Sequence, residues 1–345
     1  MSSSSLLASF GIAIHNFYIP RSSLRVPVSI HLVFESELSS RLEQLNLTNE
    51  RGFLSIKWLS EALEIVLCTH SSAETLISDL DHDVLFGDGK WINGFLDNTI
   101  KLLDTCVILK AAIAEIKMYC GQLKVALRAV DKEPTSEIQL KRCMKALKNC
   151  MDALKRRNDA INHLGHRRSK LENCSSILRR MVERLITEDA TNGNVFTAIF
   201  AAQMITISVC SLLSSALSFK PKRSLSFNGL MGQSLWSLPL CNLQHRVKEQ
   251  IEKKKSRGSY VFLEELDATD IAVRNFYNLI EQSLHAMPSS DTEFPISKVK
   301  ESAKVMQTLL RELEQGISTV ECRVENIQRN LLKSRMGFLH MERSF

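Results

Sequence analysis

Residues 195–219, VFTAIFAAQMITISVCSLLSSALSF, decide the fold of this 345-residue chain. No charged side chain occurs between Asp189 and Lys220, and nearly every residue of the stretch is apolar or small. As a helix it would be roughly 37 Å long, which exceeds the ~30 Å hydrocarbon layer of a membrane. The stretch therefore predicts a helix that either forms the centre of a soluble bundle or spans a bilayer.

Small and polar residues inside this stretch recur three or four positions apart, which places them on one narrow face of the helix. They are Thr197, Ala201, Met204, Ser208, Ser211, Ser215 and Ser218. Larger apolar side chains occupy the other directions, and a helix that is apolar on most sides is buried in protein or in lipid. A small-residue face lets another helix approach closely in either environment. Long amphipathic segments on both sides favour a buried core helix, and a membrane-inserted helix is the alternative.

The composition is that of a globular chain with few tight turns. Hydrophobic residues make up 44% of the chain, and only 13 Gly and 7 Pro occur, which argues against a sandwich or a barrel. The cysteines are widely spaced and odd in number, which argues against a disulfide framework. We expect reduced, mostly buried thiols at Cys68, Cys106, Cys120, Cys143, Cys150, Cys174, Cys210, Cys241 and Cys322.

Apolar residues recur at alternating steps of three and four, the spacing of coiled-coil-like seams. The clearest seam predicts a long third helix and consists of Phe95, Thr99, Leu102, Cys106, Leu109, Ile113, Ile116, Cys120, Leu123, Leu127 and Val130. Similar patterns predict a first and a last helix over residues 30–45 and 299–331. They also predict a second helix that begins near Ser55 and carries its seam from Leu59 to Leu80. A fourth helix is predicted over residues 136–186, where Gly165 marks a kink.

Several long seams in one chain imply antiparallel helices that cross at about 20°. The predicted fold class is all-α: a bundle of long antiparallel helices with coiled-coil-like packing around a very hydrophobic central helix. The domains follow in order: a disordered tail or transit peptide at 1–27, an N-terminal helical bundle at 28–219 that includes the hydrophobic helix 195–219, a loop at 220–239, and C-terminal helices at 240–345 that pack on the same bundle.

We assign no catalytic, cofactor-binding or metal-ligating residue. Asp79, Asp81 and Asp83 lack the one-turn spacing with which helical isoprenoid synthases hold magnesium and diphosphate. His163 and His166 can share a helix face, but no second pair of ligands is evident for zinc. The sequence contains no Ser-His-Asp order and no glycine-rich phosphate loop, so we predict a protein that is not an enzyme and needs no cofactor.

Positive charge is concentrated between Lys141 and Arg184, where thirteen Lys or Arg residues stand against four Asp or Glu residues. Its main clusters are Arg156, Arg157, Arg167, Arg168, Lys170, Arg179 and Arg180. Such a helix surface could contact an acidic protein or an acidic membrane surface, and a merely solvated surface is the alternative. Nucleic acid is not expected, because no aromatic residues interleave with the charges for base stacking. A homodimer through the last helix is a further prediction.

Short stretches in the first half of the chain form a recognisable set: SIKW at 55–58, CTH at 68–70, TLISDL at 75–80, KW at 90–91 and KLLDTC at 101–106. Further on come LENCSSIL at 171–178 and the weaker LEEL at 263–266. Together they resemble the plant BYPASS family. The resemblance covers roughly residues 28–335 and is looser after residue 219.

This resemblance implies a mostly helical plant protein without established catalytic residues. It also implies a regulator of root and shoot development that prevents production of a root-derived mobile signal arresting shoot growth, with proteins as its partners. A membrane-associated adaptor in secretion and exocytosis is the alternative. The first 34 residues are Ser-rich and contain no Asp or Glu, which favours a chloroplast location, with the cytoplasm or the endoplasmic reticulum membrane as alternatives.

Overall fold

The computed structural model describes residues 28–47, 52–78, 90–130, 136–163, 170–189, 197–218, 234–259, 261–286 and 294–343. These ranges form nine helices and no strand, which confirms the predicted all-α bundle. In chain order the helices are α1 (Val28–Asn46), α2 (Ile56–Ser78), α3 (Lys90–Arg128), α4 (Glu137–His163), α5 (Lys170–Asp189), α6 (Thr197–Leu217), α7 (Ser237–Ser256), α8 (Glu264–Ala286) and α9 (Phe294–Arg343). The predicted tail or transit peptide at 1–27 lies outside the described residues.

The bundle is organised around its two longest helices, α3 with 39 residues and α9 with 50, which pack against each other. Every residue of the predicted α3 seam, from Phe95 to Val130, is buried. The same is true of the predicted α9 seam, which consists of Val299, Ala303, Met306, Leu310, Leu313, Ile317, Val320, Val324, Ile327 and Leu331. One apolar cluster takes buried residues from α1 through α9, so the described helices share a core. Since α7 packs on α1, and α8 on α4 and α9, the C-terminal helices are part of that packing.

Charged pairs beside the seams show the direction of each helix. Lysines of α3 pair with glutamates of α9 in the order Lys110 with Glu325, Lys117 with Glu321, and Lys124 with Glu314. Residue numbers rise along one helix and fall along the other, so α3 and α9 are antiparallel. Between α2 and α9 the numbers rise together, because Glu64 pairs with Arg323, and Glu74 with Lys333. Thus α2 and α9 are parallel, a pairing that the sequence pattern did not indicate.

The uncharged stretch forms α6, which packs on α2, α3 and α5. Length and composition alone would allow this helix to cross a membrane, yet 89% of its apolar segment is buried inside the bundle. The predicted small-residue face of this helix is not equally buried along its length. Ala201, Met204 and Ser208 are buried, whereas the other members of that face are half-buried: Thr197, Ser211, Ser215 and Ser218. The structure therefore gives this stretch protein neighbours, as the core-helix interpretation expected.

The predicted fourth helix over 136–186 is corrected to two helices, α4 and α5. Their packing explains the break: α4 packs on α3 and α8, whereas α5 packs on α3 and α6. One straight helix could not serve both sets of neighbours. Gly165, the predicted kink, lies in 164–169, outside the described residues.

Two smaller differences concern helix ends. Helix α7 already begins at Ser237, inside the stretch 220–239 that was predicted to be a loop, and residues 220–233 of that stretch lie outside the described residues. Pro239 fits there because a proline in the first helical turn sacrifices no intrahelical hydrogen bond. In α1, the apolar spacing from residue 30 to 45 predicts one buried stripe, Ile30, Phe34, Leu38, Leu42 and Leu45. Ile30 is 43% exposed, while the other four residues of that stripe are buried.

A glycine in the middle of α9 is required by close packing. An added Cβ at Gly316 would lie 2.7 Å from Cγ2 and 2.9 Å from Cδ1 of the buried Ile56 on α2. We therefore expect Gly316→Ala to lower the free energy of unfolding by about 1 kcal/mol, since overpacking exceeds the gain in helix propensity. Urea unfolding followed by circular dichroism measures the change.

Gly121 on α3 is the matched control. An added Cβ there meets no atom within 4 Å. Gly121→Ala should therefore raise the free energy of unfolding by about 0.5–1 kcal/mol through helix propensity alone. Stabilisation by both substitutions would show that α2 and α9 are not in close contact at Gly316.

Candidate interaction surface and the helix junctions that support it

The N-terminus of α2 is capped from two parts of the chain. The Ser55 hydroxyl oxygen accepts the Trp58 backbone N–H at 3.2 Å and donates to the Gly52 carbonyl at 2.8 Å. The carboxylate of Glu265, on α8, accepts the Ile56 N–H, with its two oxygens at 2.9 and 3.0 Å. The first N–H groups of a helix have no intrahelical acceptor, so these contacts satisfy groups that would otherwise need water.

A backbone hydrogen bond closes the same junction from the other side. The Glu264 N–H donates to the Leu54 carbonyl at 3.3 Å. Leu54 has φ of 67°, in the left-handed region that leucine rarely adopts, and its side chain is completely buried. Phe53 and Leu263, its neighbours in the two segments, are also buried. The N-termini of α2 and α8 are therefore joined by main-chain, carboxylate and apolar contacts at one place.

Burial raises the pKa of the Glu265 carboxyl above its ordinary value, and the hydrogen bond from Ile56 partly opposes that rise. When ionised, the carboxylate places negative charge at the positive end of the α2 dipole. Burial also raises the pKa of the neighbouring Glu264 carboxyl. The junction thus depends on a half-buried acid with a structural role.

Substitution of Glu265 should weaken this junction in two steps. We expect Glu265→Gln to lower the free energy of unfolding by about 1 kcal/mol, because the amide keeps an acceptor but loses the charge. Glu265→Ala should lower the free energy of unfolding by about 2 kcal/mol, since the Ile56 N–H at the start of α2 then loses its acceptor. Chemical denaturation measures both. Glu281→Gln, at an exposed position of the same helix, should change stability by less than about 0.5 kcal/mol; an equal effect at both positions would refute the capping role.

A second junction joins α2 to the buried helix α6. His70 and Thr206 lie with Nε2 and Oγ1 2.8 Å apart. The Thr206 hydroxyl has one hydrogen, and the Ala202 carbonyl at 2.6 Å accepts it. His70 must therefore donate from a protonated Nε2, which fixes its neutral tautomer. Burial lowers the pKa of His70 from 6.5 to about 4, although the charge of Glu74 partly opposes that change.

Three thiols meet where α3, α5 and α6 pack together. Cys210 is hydrogen-bonded to Cys106 and lies close to Cys174, whose Sγ is 3.7 Å from the Thr105 hydroxyl. Burial raises the pKa of Cys174 to about 11, while its contact with Cys106, together with burial, raises that of Cys210 well above its ordinary value. Cys174 and Cys210 are therefore neutral thiols in the protein interior. All nine cysteines are free, as predicted, although Cys322 is exposed.

These junctions have the character of structural contacts. Within the part of the chain that the structure describes, no group of three or more His, Cys, Asp or Glu side chains is placed to hold a metal ion. The aspartates at 79, 81 and 83, which the sequence analysis set aside as a metal site, lie outside the described residues, as does His166. His163 is the last residue of α4.

The predicted basic region is carried by α4 and α5, which both pack on α3. Its exposed members among the described side chains are Lys141, Arg142, Lys145, Lys148, Lys170, Arg180 and Arg184. Arg184 pairs with Asp97 of α3 at 3.1 Å, and the Lys101 ammonium, followed by Arg184, holds the pKa of the Asp97 carboxyl below its ordinary value. The predicted clusters at 156–157 and 167–168 lie where no side chain is described. We name the described exposed cations the basic surface.

The short stretches singled out in the sequence meet one another in the fold. SIKW at 55–58 and LEEL at 263–266 form the α2–α8 junction through Ile56 and Glu265. KLLDTC at 101–106 and LENCSSIL at 171–178 meet where Cys174 contacts Thr105. Sequence inspection marked these stretches but did not reveal that they touch. Their residues position the helices that carry the basic surface.

Comparison with known proteins places the chain in a family. The family model described as Protein BPS1 matches residues 56–341, which begins at the α2–α8 junction and ends near the end of α9. The chain is 24% identical over 315 residues to "Protein BPS1, chloroplastic" of Arabidopsis thaliana, covering 90% of this chain and 83% of that protein.

Rice proteins are similar over a shorter region. The chain is 25% identical over 256 residues to "UPF0496 protein 4" of Oryza sativa, in both the japonica and indica subspecies. That region is 72% of this chain but 54% of the rice proteins, so the chain spans about half of their length. No solved structure matches the chain. The match over residues 56–341 shows that the chain belongs to the BPS1 family, the plant BYPASS family of developmental proteins, which is not a known enzyme family.

Proposed function

We propose that this protein is a non-enzymatic regulator of plant root and shoot development that prevents production of a root-derived mobile signal arresting shoot growth. It acts by binding other proteins. The observation that carries the proposal is the family match over residues 56–341, which includes α2 through most of α9. The buried His70 and the neutral thiols of Cys174 and Cys210 support it, because each serves in helix packing. The alternative of a membrane-associated secretion adaptor gains no support from the comparisons.

The basic surface is the proposed contact with a protein partner. Its cations lie on two helices that share α3 as support, so an acidic protein surface could meet several of them at once. Exposed lysines on α4, namely Lys141, Lys145 and Lys148, are spaced one helical turn apart and share a face. Electrostatic contacts of this kind increase the association rate and weaken with added salt.

Genetic complementation with grafting tests the role. The chain is expressed only in the root of a plant that lacks its own BPS1-family activity and whose shoot growth is arrested. We expect the grafted shoot to resume growth. Continued arrest, although the protein accumulates in the root, would refute the proposed control of a mobile signal.

Charge variants test the contact surface in the same plants. A variant with Lys141, Arg142, Lys145 and Lys148 changed to Gln should fold normally, lose partner binding and fail to restore growth. The matched control changes four exposed cations elsewhere, Lys248, Lys304, Arg311 and Arg329, to Gln and should restore growth. If the first variant loses binding to vesicles containing acidic lipid but keeps its protein partners, the contact is with a membrane surface and the proposed partner class is wrong.

We further propose that the protein acts in the plastid. The Ser-rich, acid-free start of the chain supports this location, as does the name of the Arabidopsis relative, which is chloroplastic. Fluorescent fusions of the full chain and of residues 28–345 test it. Plastid fluorescence that requires residues 1–27 is the expected result, and identical cytoplasmic or reticular patterns would exclude it.

A further inference from the structure

The end of α7 carries a dense group of positive charges around one serine. Residues 253–257 read KKKSR, so three lysines directly precede Ser256 and Arg257 follows it. Ser256 is the last residue of α7, and its side chain is exposed. Its hydroxyl donates to the Lys253 carbonyl of its own helix at 2.8 Å. This group of charges lies on a different helix from the basic surface of α4 and α5.

The chain around Ser256 can change its conformation without exposing the core. Ile251 is the last buried residue of α7, and Val261 is the next buried residue that the structure describes. No described side chain between these two is buried, and those of residues 252–253 and 255–258 are exposed. Opening the last turn of α7 therefore removes no contact of a buried apolar side chain, and helix ends of this kind open readily.

Polar contacts hold this last turn in place. Backbone N–H groups of residues 257–259 donate to the carbonyls of Lys254 and Lys255 at 2.9–3.2 Å, and Gly258 ends the helix with φ of 78°. The Lys254 ammonium donates to the Phe262 carbonyl at 3.1 Å. Lys255 pairs with Glu252 at 2.7 Å. Because these contacts lie at the surface, water can replace them when the turn opens.

We propose that Ser256 is a phosphorylation site for a serine/threonine protein kinase whose substrate groove is acidic. Charge patterns next to the modified residue determine which kinase binds a substrate, and an acidic groove selects lysines and arginines there. Lys253 and Lys254 lie three and two residues before the serine, and Arg257 lies directly after it. Only one helical turn must open for this stretch to enter such a groove in an extended conformation.

The reaction transfers the γ-phosphoryl group of ATP to the Ser256 hydroxyl. A new P–O bond forms at Oγ, the bond between the γ-phosphorus and the departing ADP oxygen breaks, and the hydroxyl proton goes to the catalytic carboxylate of the kinase. A phosphoserine carries about −1.5 to −2 charges at pH 7 and would offset about half of the four positive charges around it. The modification would thus reversibly reduce the positive charge at this end of α7.

Two other serines show which features distinguish Ser256. Ser334 directly follows Lys333, yet it is buried, and its hydroxyl donates to the Glu74 carboxylate at 2.8 Å. Ser318 in α9 is exposed, and its hydroxyl donates to the Glu314 carbonyl of its own helix at 2.9 Å. No lysine or arginine occurs in the six residues before Ser318. It is therefore the matched control for an exposed helical serine without preceding cations.

Phosphorylation of the folded full chain tests the proposal. The protein is incubated with ATP and the catalytic subunit of cyclic-AMP-dependent protein kinase, a kinase with an acidic groove, and the products are mapped by mass spectrometry. We expect one phosphoryl group at Ser256 and none at Ser318. Ser256→Ala should remove the signal. Circular dichroism confirms that the variant is folded.

Charge variants test the recognition of the lysines. Lys253→Gln combined with Lys254→Gln should lower kcat/KM at least about tenfold, while the new amide at 254 still offers a donor to the Phe262 carbonyl. The control combines Lys298→Gln with Lys304→Gln, at two exposed positions of α9, and should leave kcat/KM unchanged. Equal rates for the two double variants would overturn the proposal.

Three further results would also overturn it. They are an unmodified chain, equal modification of Ser256 and Ser318, and modification of Ser256 that occurs only in urea. The same phosphopeptide should be found in the chain isolated from plant tissue with phosphatase inhibitors present. Its absence there would contradict the proposal even if the isolated kinase modifies Ser256.

Discussion

Replacing Trp58 by alanine is expected to lower the free energy of unfolding by about 3–5 kcal/mol. Its indole ring is only 1% exposed and packs edge-to-face on Phe53, with ring centroids 5.3 Å apart. Its Nε1–H donates to the Leu45 carbonyl of α1 at 3.3 Å. Alanine would remove the apolar contacts between α1 and α2 and leave a cavity beside the capped N-terminus of α2. Urea unfolding with an unchanged m-value measures the loss directly.

Two control variants separate packing from hydrogen bonding at this position. Trp58→Phe keeps most of the ring and loses the indole N–H, so it should cost only about 1 kcal/mol. Trp91→Ala removes a half-buried tryptophan, whose ring lies 5.5 Å from Phe338 in a smaller cluster at one end of the bundle. Trp91→Ala should therefore lower the free energy of unfolding by less than Trp58→Ala does. Equal losses for Trp58→Ala and Trp91→Ala would mean that the α1–α2 contact is not a central part of the core.

The second large effect is a fall in stability as the pH decreases from 6.5 to about 4. His70 has an ordinary pKa of 6.5 and a folded pKa of about 4 because it is buried between α2 and α6. Below pH 6.5 the unfolded chain therefore binds a proton at His70 that the folded chain does not. The free energy of unfolding should fall through this window by up to about 3 kcal/mol and show no contribution from His70 above it.

The histidine contribution is isolated by comparison with His70→Gln, which retains a hydrogen-bond donor for Thr206. Subtracting its pH profile from that of the unchanged protein removes the titration of carboxyl groups. That correction matters because Glu264 and Glu265 have raised pKa values, which oppose the His70 effect as the pH falls. Between pH 6.5 and 4, the difference in the free energy of unfolding should change with pH at the slope expected when the unfolded chain binds about one more proton than the folded chain. A flat difference would show that His70 is accessible to solvent.

Periodicity predicted the longest helices well because it is a property of each helix by itself. All seam residues named for α3 and α9 are buried, from Phe95 to Val130 and from Val299 to Leu331. Direction is not part of such a pattern, and the parallel arrangement of α2 and α9 was accordingly not predicted. The division of α4 from α5 was missed for a related reason. Apolar spacing continues through 136–186, while the break depends on which neighbours each half packs against.

The basic surface was predictable from the sequence in its composition but not in its geometry. Counting charges located the basic region between Lys141 and Arg184, but pairing of Arg184 with Asp97 depends on how α5 lies on α3. The Ile56–Glu265 contact joins residues 209 positions apart, which no local pattern can show.

The position of α9 at the end of the described chain has a consequence for how the protein is made. This helix supplies the seam against which α2, α3 and α8 bury their apolar residues, yet a ribosome completes it after all of them. During synthesis those faces remain exposed until the final 50-residue helix emerges. Nascent chains should therefore depend on chaperones for most of their translation. A chain that stops just before residue 294 should therefore fail to fold, because α2, α3 and α8 would lack the helix on which they pack.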